Sequence, residues 1–173
     1  MNREVMFSKA SDEWSTPQPT FEALDAEFAF DVDCAATAAN RKCPRWLGLD
    51  GEFADALTVS WGPDMTCWLN PPYSRVRDFI AKSVQETRQG CTVVALVPAR
   101  TDTRWWHDHV WDQRCHRPRP GVEVRFLQGR LKFGGMPSGA PFPSVVIIFR
   151  PSGEHSDDDG PRLFDTGDPT RSK

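Results

Sequence analysis

The chain has 173 residues, of which 39% are hydrophobic, and a formal net charge of -3. This length is typical of a single domain that can bury a core without disulfides or a structural metal. The negative charge excludes a globally basic nucleic-acid-binding protein, so any contact with nucleic acid needs a local basic face. No apolar stretch reaches 18 residues, and the N-terminus lacks the apolar segment of a secretory signal, so we expect a cytoplasmic protein without a membrane anchor.

The first elements of the chain are a helix and a short strand. Residues 1–13 are polar and are expected to form a loose N-terminal segment. Thr20 is predicted to cap a helix from about Phe21 to Phe28, because Phe21, Leu24 and Phe28 share one face at helical spacing. Phe30 to Asp33 is predicted to be a short strand.

Further along, apolar runs alternate with helical patterns. Predicted strands are Thr66–Leu69, Thr92–Val97, Val122–Leu127 and Ser144–Phe149. Predicted helices are a segment capped by Ser74 that runs to about Arg88, and an aromatic segment over 102–112 with Trp105, Trp106 and Trp111. Strands that alternate with helices favour a single α/β domain, with a mostly parallel sheet and helices on both faces.

The C-terminal segment has a different composition from the rest of the chain. Residues 151–173 hold six acidic against three basic residues and few apolar groups. Such a composition cannot bury enough apolar surface to fold, so an acidic disordered tail is predicted. The folded domain is therefore predicted to span residues 14–150.

The most informative segment is Asn70-Pro71-Pro72-Tyr73, which follows the apolar run Thr66–Leu69. Two prolines stiffen the turn and remove two N–H donors, so the turn presents Asn70, free proline carbonyls and a ring at the end of a strand. The Asn70 side-chain oxygen and the Pro71 carbonyl are both acceptors, suited to an amine that donates both hydrogens. Held in this way, an exocyclic amine becomes a better nucleophile, and Tyr73 offers a ring on which a nucleobase can stack.

In this setting the chain resembles the phage-type DNA N-6-adenine methyltransferases. The matching segments are residues 14–17, 30–36, 55–57 with Trp61, 70–74, 96–101, 129–133 and 144–149. The resemblance implies a Rossmann-like S-adenosylmethionine-dependent methyltransferase fold and methylation of the N6 amine of adenine in double-stranded DNA. It also implies that Asn70, Pro71, Pro72 and Tyr73 are catalytic. The target base would be flipped out of the duplex, because its amine is otherwise paired and stacked.

The resemblance also suggests where S-adenosylmethionine binds. Asp33, at the end of the first strand, is the main ligand for ribose hydroxyls or the donor ammonium. Asp31 is its alternate, because residues 31 and 33 of a strand point to the same face. Asp55 resembles the residue that accepts from the adenine amine of the donor. The segment with Trp14, Thr16 and Pro17 resembles the one that closes over the methionine end.

A local basic region lies within residues 100–132, which hold seven arginines and one lysine against four acids. Arg100, Arg104, Arg130 and Lys132 are the candidate DNA-binding residues within it. Trp105 and Trp106 either pack in the core or stack on an extruded base. The loop Gly129–Gly135 has a basic tip, and the resemblance places it near the target.

Several alternatives remain at this stage. The same donor could serve a cytosine amine, an RNA adenine or a glutamine side chain, and a catalytically idle DNA-binding phage accessory protein is a rival from another class. His107, His109, Cys115 and His116 do not have the spacing of a metal site, and the five cysteines include no CxxC pair, so no metal is expected.

Overall fold

The computed structural model describes residues 15–134 and 139–151. Its helices are α1 (Gln18–Phe28), α2 (Val76–Thr87) and α3 (Arg104–His109), and a 3-10 turn, Tyr73–Arg75, precedes α2. Its strands are β1 (Val32–Asp33), β2 (Thr66–Leu69), β3 (Thr92–Pro98), β4 (Trp111–Asp112), β5 (Arg117–Pro118), β6 (Val122–Phe126) and β7 (Ser144–Phe149). The predicted loose segment 1–13, Trp14, and the acidic tail beyond Pro151 lie outside the described residues.

The main sheet has five strands in the order β1-β2-β3-β7-β6. β1 and β2 are parallel, as are β2 and β3, whereas β7 is antiparallel to both β3 and β6. Four of the five strands, β1, β2, β3 and β6, thus run in the same direction and β7 alone is reversed, so the predicted mostly parallel sheet has one antiparallel strand and is mixed. The connections explain the reversal of β7. Helix α2 carries the chain back between β2 and β3, as a parallel pair requires, whereas no helix was found in the described residues between β6 and β7.

The sheet is covered on both faces, which confirms the predicted placement of the helices. On one face Val94 and Leu96 pack in a cluster with Phe21 and Leu24 of α1. On the other face Val93, Ala95 and Val97 of β3 pack in a second cluster. This cluster includes Phe79 and Ile80 of α2. This double coverage explains why β3 reads as a continuous apolar run.

Two helix starts differ from the predictions. α1 begins at Gln18 with Pro17 as its N-cap residue, so Thr20 lies inside the helix and does not cap it. A proline in the first turn, here Pro19, is tolerated because the N–H it lacks has no partner there anyway. α2 begins at Val76, with Arg75 in the N-cap position and no side-chain capping bond, because the chain first makes a 3-10 turn.

The predicted end of α2, near Arg88 and before Gly90, is confirmed, whereas α3 is shorter than predicted. α2 ends at Thr87, and the chain turns away at Gly90, which has a φ of 89° and lies against Asp64. α3 covers Arg104–His109 only, and Trp111 belongs to β4, which pairs with β5. The pairing of β4 with β5 replaces the last turn of the predicted helix. Between these two strands, His116 has a left-handed backbone conformation, with a φ of 51°.

Four of the five cysteines are buried, Cys115 is exposed, and all five are free thiols. Within the described part of the chain, no helix is long and apolar enough to cross a membrane.

Candidate active site

The site lies at one edge of the sheet. Because β1, β2 and β3 are parallel, their carboxyl ends meet at the same edge. Asp33 is the last residue of β1, and Asn70 directly follows β2. This is the edge at which open α/β sheets bind ligands.

A cavity of about 350 Å³ opens at this edge. Its volume falls within the usual range for small-molecule sites. Six of the predicted site residues line it, although they come from four separate parts of the sequence. They are Thr16, Asp33, Asp55, Asn70, Pro71 and Pro72. The fold therefore brings three residues of the predicted catalytic turn, Asn70–Tyr73, and expected donor ligands to one cavity.

Asp33 is almost completely buried, with 3% of its surface exposed. Its Oδ2 accepts from the backbone N–H of Lys42 at 2.9 Å, and its Oδ1 accepts from the N–H of Ala35 at 3.3 Å. These bonds hold the carboxylate in one orientation at the cavity wall. Burial raises the pKa of Asp33 to about 6, because desolvation disfavours the charged form more than the two backbone bonds favour it.

Asp31 and Pro17 are not among the residues that line this cavity. Asp31 is exposed, and its Oδ2 accepts from the N–H of Thr66 at 2.8 Å. That bond holds the start of β2 beside the segment that leads into β1. Pro17 instead caps the start of α1. The alternation argument that made Asp31 an alternate to Asp33 fails here because β1 is only two residues long.

Asp55 also lines the cavity, and its side chain has two partners. Its Oδ1 accepts from the N–H of Leu57 at 3.0 Å. Its Oδ2 lies 3.8 Å from a guanidinium nitrogen of Arg75, and both side chains are nearly half exposed. Arg75 also lines the cavity. Arg75 was not predicted as a site residue, although it follows Tyr73 by only two positions.

The side chain of Asn70 is held by a residue distant in sequence. Its Nδ2 donates to the hydroxyl of Thr16 at 3.1 Å, and Thr16 is 3% exposed. The carbonyl of Pro72 accepts from the N–H of Arg75 at 2.9 Å, so it is not a free acceptor as the sequence analysis supposed. The other two predicted acceptors, the Asn70 side-chain oxygen and the Pro71 carbonyl, belong to residues that line the cavity.

Tyr73 is half-buried and packs in an aromatic cluster. Its ring meets Phe133 and Phe142 edge to face, at centroid distances of 6.2 and 5.2 Å. Burial raises the pKa of the Tyr73 hydroxyl, which therefore stays neutral at physiological pH. The contact with Phe133 brings the loop that contains Arg130 and Lys132 next to the catalytic turn. No sequence signal marked Phe142 as a neighbour.

A second cavity, of about 250 Å³, lies beside Tyr73. Ser74 lines both cavities, so the two cavities flank the same turn. The predicted DNA-binding residue Arg100 lines the second cavity, together with Arg77 and Trp105. Trp105 and Trp106 are both buried in the core, at 8% and 2% exposure, and Trp105 reaches the cavity from there.

The predicted DNA-binding residues are exposed. This holds for Arg100, Arg104, Arg130 and Lys132, and the side chain of Arg104 is 90% exposed although it lies 3.6 Å from Asp108. In contrast, Arg125 of β6 makes ion pairs with Glu123 of the same strand and with Glu27 of α1. The pair with Glu27 joins α1 to β6. Among the residues that the structure describes, no group of three His, Cys, Asp or Glu side chains could hold a metal ion.

Comparison with known proteins gives consistent matches. A family model described as DNA N-6-adenine-methyltransferase (Dam) matches residues 5–156. A DNA N-6-adenine-methyltransferase of Haemophilus phage HP1 is 31% identical over 154 residues, which is 83% of each chain. A protein of the same name from Escherichia phage T1 is 31% identical over 96 residues, or 55% of this chain and 39% of that protein. The chain thus aligns with less than half of the phage T1 protein.

Proposed function

This chain belongs to the DNA N-6-adenine-methyltransferase (Dam) family, and we propose that the two cavities beside Asn70–Tyr73 hold the methyl donor and the target adenine. As a member of that family it is an adenine-specific DNA methyltransferase. One observation carries the assignment of the site: the catalytic turn and the buried carboxylate of Asp33 line a single cavity at the carboxyl edge of the sheet. This placement of the site supports a small Rossmann-like methyltransferase fold, in spite of the mixed sheet.

The larger cavity suits S-adenosylmethionine in size and in charge. The buried Asp33 carboxylate can accept hydrogen bonds from ribose hydroxyls or attract the ammonium group of the donor. Asp55, which lines the same cavity, can accept from the adenine amine of the donor. When bound, the donor supplies an electrophilic methyl group on a positively charged sulfur. The chain's own task is to hold this group beside the catalytic turn and to keep the reacting atoms in line.

At the catalytic turn, the chain positions and activates the target amine. The Asn70 side-chain oxygen and the Pro71 carbonyl each accept one hydrogen of the N6 amine. Two acceptors on one NH₂ group pull its lone pair out of conjugation with the ring. The nitrogen can then attack the methyl carbon as the carbon–sulfur bond breaks, and its surplus proton leaves afterwards to solvent. Preorganised acceptors of this kind stabilise the positive charge that develops on nitrogen.

The second cavity is the proposed site of the extruded adenine. The amine of a base in a duplex is paired and stacked, so it can meet Asn70 only after the nucleotide is flipped out. Tyr73 would stack on the flipped base, since its ring is held by Phe133 and Phe142 and the residue lines this cavity. Arg100, which lines the same cavity and is exposed, would contact the backbone phosphate of the flipped nucleotide.

The salt dependence of DNA binding tests this placement of the DNA. We expect Arg130→Ala to weaken binding and to reduce the slope of log K against log salt by about one unit, because one phosphate contact is lost. Arg125→Ala is the matched control, since Arg125 is held in ion pairs with Glu27 and Glu123. Fluorescence anisotropy over a salt series measures both slopes. Equal slopes for wild type and Arg130→Ala would remove Arg130 from the interface.

The pH dependence of donor binding tests the role of Asp33. A bound cation or hydroxyl donor favours the ionised carboxylate, so affinity should rise as the pH increases through about 6, the pKa of Asp33. If only the ionised form binds, affinity at pH 5 should be about tenfold weaker than at neutral pH. Asp33→Asn should bind S-adenosylmethionine about ten- to a hundredfold more weakly and lose the pH dependence. Calorimetry on both proteins at pH 5 and pH 7 measures these values, and a flat wild-type profile would contradict the assignment.

A further inference from the structure

We propose that Thr16 is a positioning residue whose hydroxyl fixes the orientation of the Asn70 amide, so that the oxygen of the amide faces the target amine. The inference rests on the proposed function of Asn70 and assigns a second role to Thr16, beside the donor contact that the resemblance suggests. Thr16 and Asn70 are 54 residues apart in sequence. Their contact therefore links the N-terminal segment directly to the catalytic turn.

Three observations show that this contact is built into the fold. The Nδ2 of Asn70 donates to the Oγ1 of Thr16 at 3.1 Å, and only 3% of the Thr16 surface is exposed. On one side of Thr16, the carbonyl of Ser15 accepts from the N–H of Gly134 at 3.0 Å. On the other side, Pro17 begins α1, and its carbonyl accepts from the N–H groups of Thr20 and Phe21. Backbone hydrogen bonds thus hold the chain on both sides of Thr16.

The orientation of the Asn70 amide decides whether the turn can catalyse the reaction. An asparagine amide has one acceptor end and one donor end, and rotation of the amide by half a turn exchanges them. The N6 amine of adenine is itself a donor, so it needs the oxygen. Reversed, the amide would present its own N–H groups to the substrate. With Nδ2 bound to Thr16, the other end of the amide is the oxygen that the reaction requires.

The same hydroxyl offers a physical link to the donor. A threonine hydroxyl can donate as well as accept, and if it donated to Asn70 the amide would be held in the reversed orientation. The Thr16 hydroxyl cannot donate to Asn70 when it already donates its hydrogen to another acceptor. Thr16 lines the donor cavity, and the carboxylate of an amino-acid-containing donor is an acceptor only. Binding of the donor would therefore favour the productive orientation of the Asn70 amide.

The experiment compares Thr16→Val, which has nearly the same shape but no hydroxyl, with Thr16→Ser, which retains the hydroxyl. Thr87→Val is the matched control, because Thr87 also hydrogen-bonds through its hydroxyl, to the carbonyl of Val84, at the far end of α2. With saturating S-adenosylmethionine and DNA, kcat should fall about tenfold in Thr16→Val. It should be largely restored in Thr16→Ser and unchanged in Thr87→Val. If Thr16→Val does not fold, Thr16→Ala carries the same expectation.

A second background separates positioning from donor binding. In Asn70→Ala, addition of Thr16→Val should produce no further loss of kcat, because no amide remains to be oriented. Full kcat in Thr16→Val at saturating donor, or independent losses in the double variant, would overturn the inference. Wild-type methylation of adenine in the same assay would show that the proposed function stands even then. Absence of that activity would instead count against the proposed function itself.

Discussion

Replacement of Asn70 by alanine is expected to lower the rate of adenine methylation by at least about a hundredfold. The variant loses the one side-chain acceptor for the target amine, and the Pro71 carbonyl alone cannot hold both hydrogens. Donor affinity should change little, because the proposed donor ligands, Asp33 and Asp55, lie on other elements. Initial rates with a labelled methyl donor, together with calorimetric donor affinities, measure the two effects separately.

Asn70→Asp is the matched variant for this prediction. It keeps a side-chain oxygen as an acceptor, and the Thr16 hydroxyl can donate to the second oxygen in place of the lost amide contact. We therefore expect Asn70→Asp to retain more activity than Asn70→Ala. Equal activities of the two variants would mean that the Asn70 oxygen has no part in the reaction.

The second large effect is expected at Tyr73. Tyr73→Ala removes a stacking surface worth about 1 to 3 kcal/mol per base, which corresponds to a loss of activity between fivefold and somewhat more than a hundredfold. Tyr73→Phe keeps the ring and should keep most of the activity, because stacking needs only the ring. Methylation rates in the order wild type, phenylalanine, alanine indicate stacking. If phenylalanine were as damaging as alanine, the hydroxyl would be the working group.

Packing must be separated from stacking in this series, because Tyr73 also contacts Phe133 and Phe142. Phe142→Leu shortens one of these partners without touching the proposed base site, so it reports the contribution of the cluster to stability. Thermal unfolding of all three variants should show some destabilisation of Phe142→Leu and a larger one of Tyr73→Ala, because alanine removes the whole ring. Only Tyr73→Ala should then lose activity at a temperature where both are folded.

Much of the site could be predicted from the sequence because its chemistry is concentrated in one turn. Asn70–Tyr73 combines two prolines with a strand before it and a helix after it, and this combination directs the chain to one edge of a sheet. Asp33 could be placed at the same edge, because it is the last residue of the predicted strand Phe30–Asp33, while its role toward the donor was implied by the resemblance. These predictions depend on local backbone physics, which the sequence determines directly.

The remaining features depend on contacts between distant segments. The bond between Thr16 and Asn70, the pair of Asp55 and Arg75, and the contact of Tyr73 with Phe142 join residues that no periodicity connects. The direction of β7 could not be predicted either, because an apolar run such as Ser144–Phe149 has the same pattern in a parallel and in an antiparallel sheet. Only the length and course of the connections decide the direction of such a strand.

Methylation of plasmid DNA by the purified protein, with the modified base identified by mass spectrometry, tests the central claim most directly. Wild type should produce N6-methyladenine in the presence of S-adenosylmethionine, and Asn70→Ala should produce at least about a hundredfold less under the same conditions. Formation of N4-methylcytosine, or equal N6-methyladenine from wild type and Asn70→Ala, would contradict the assignment of Asn70 as the group that holds the adenine amine.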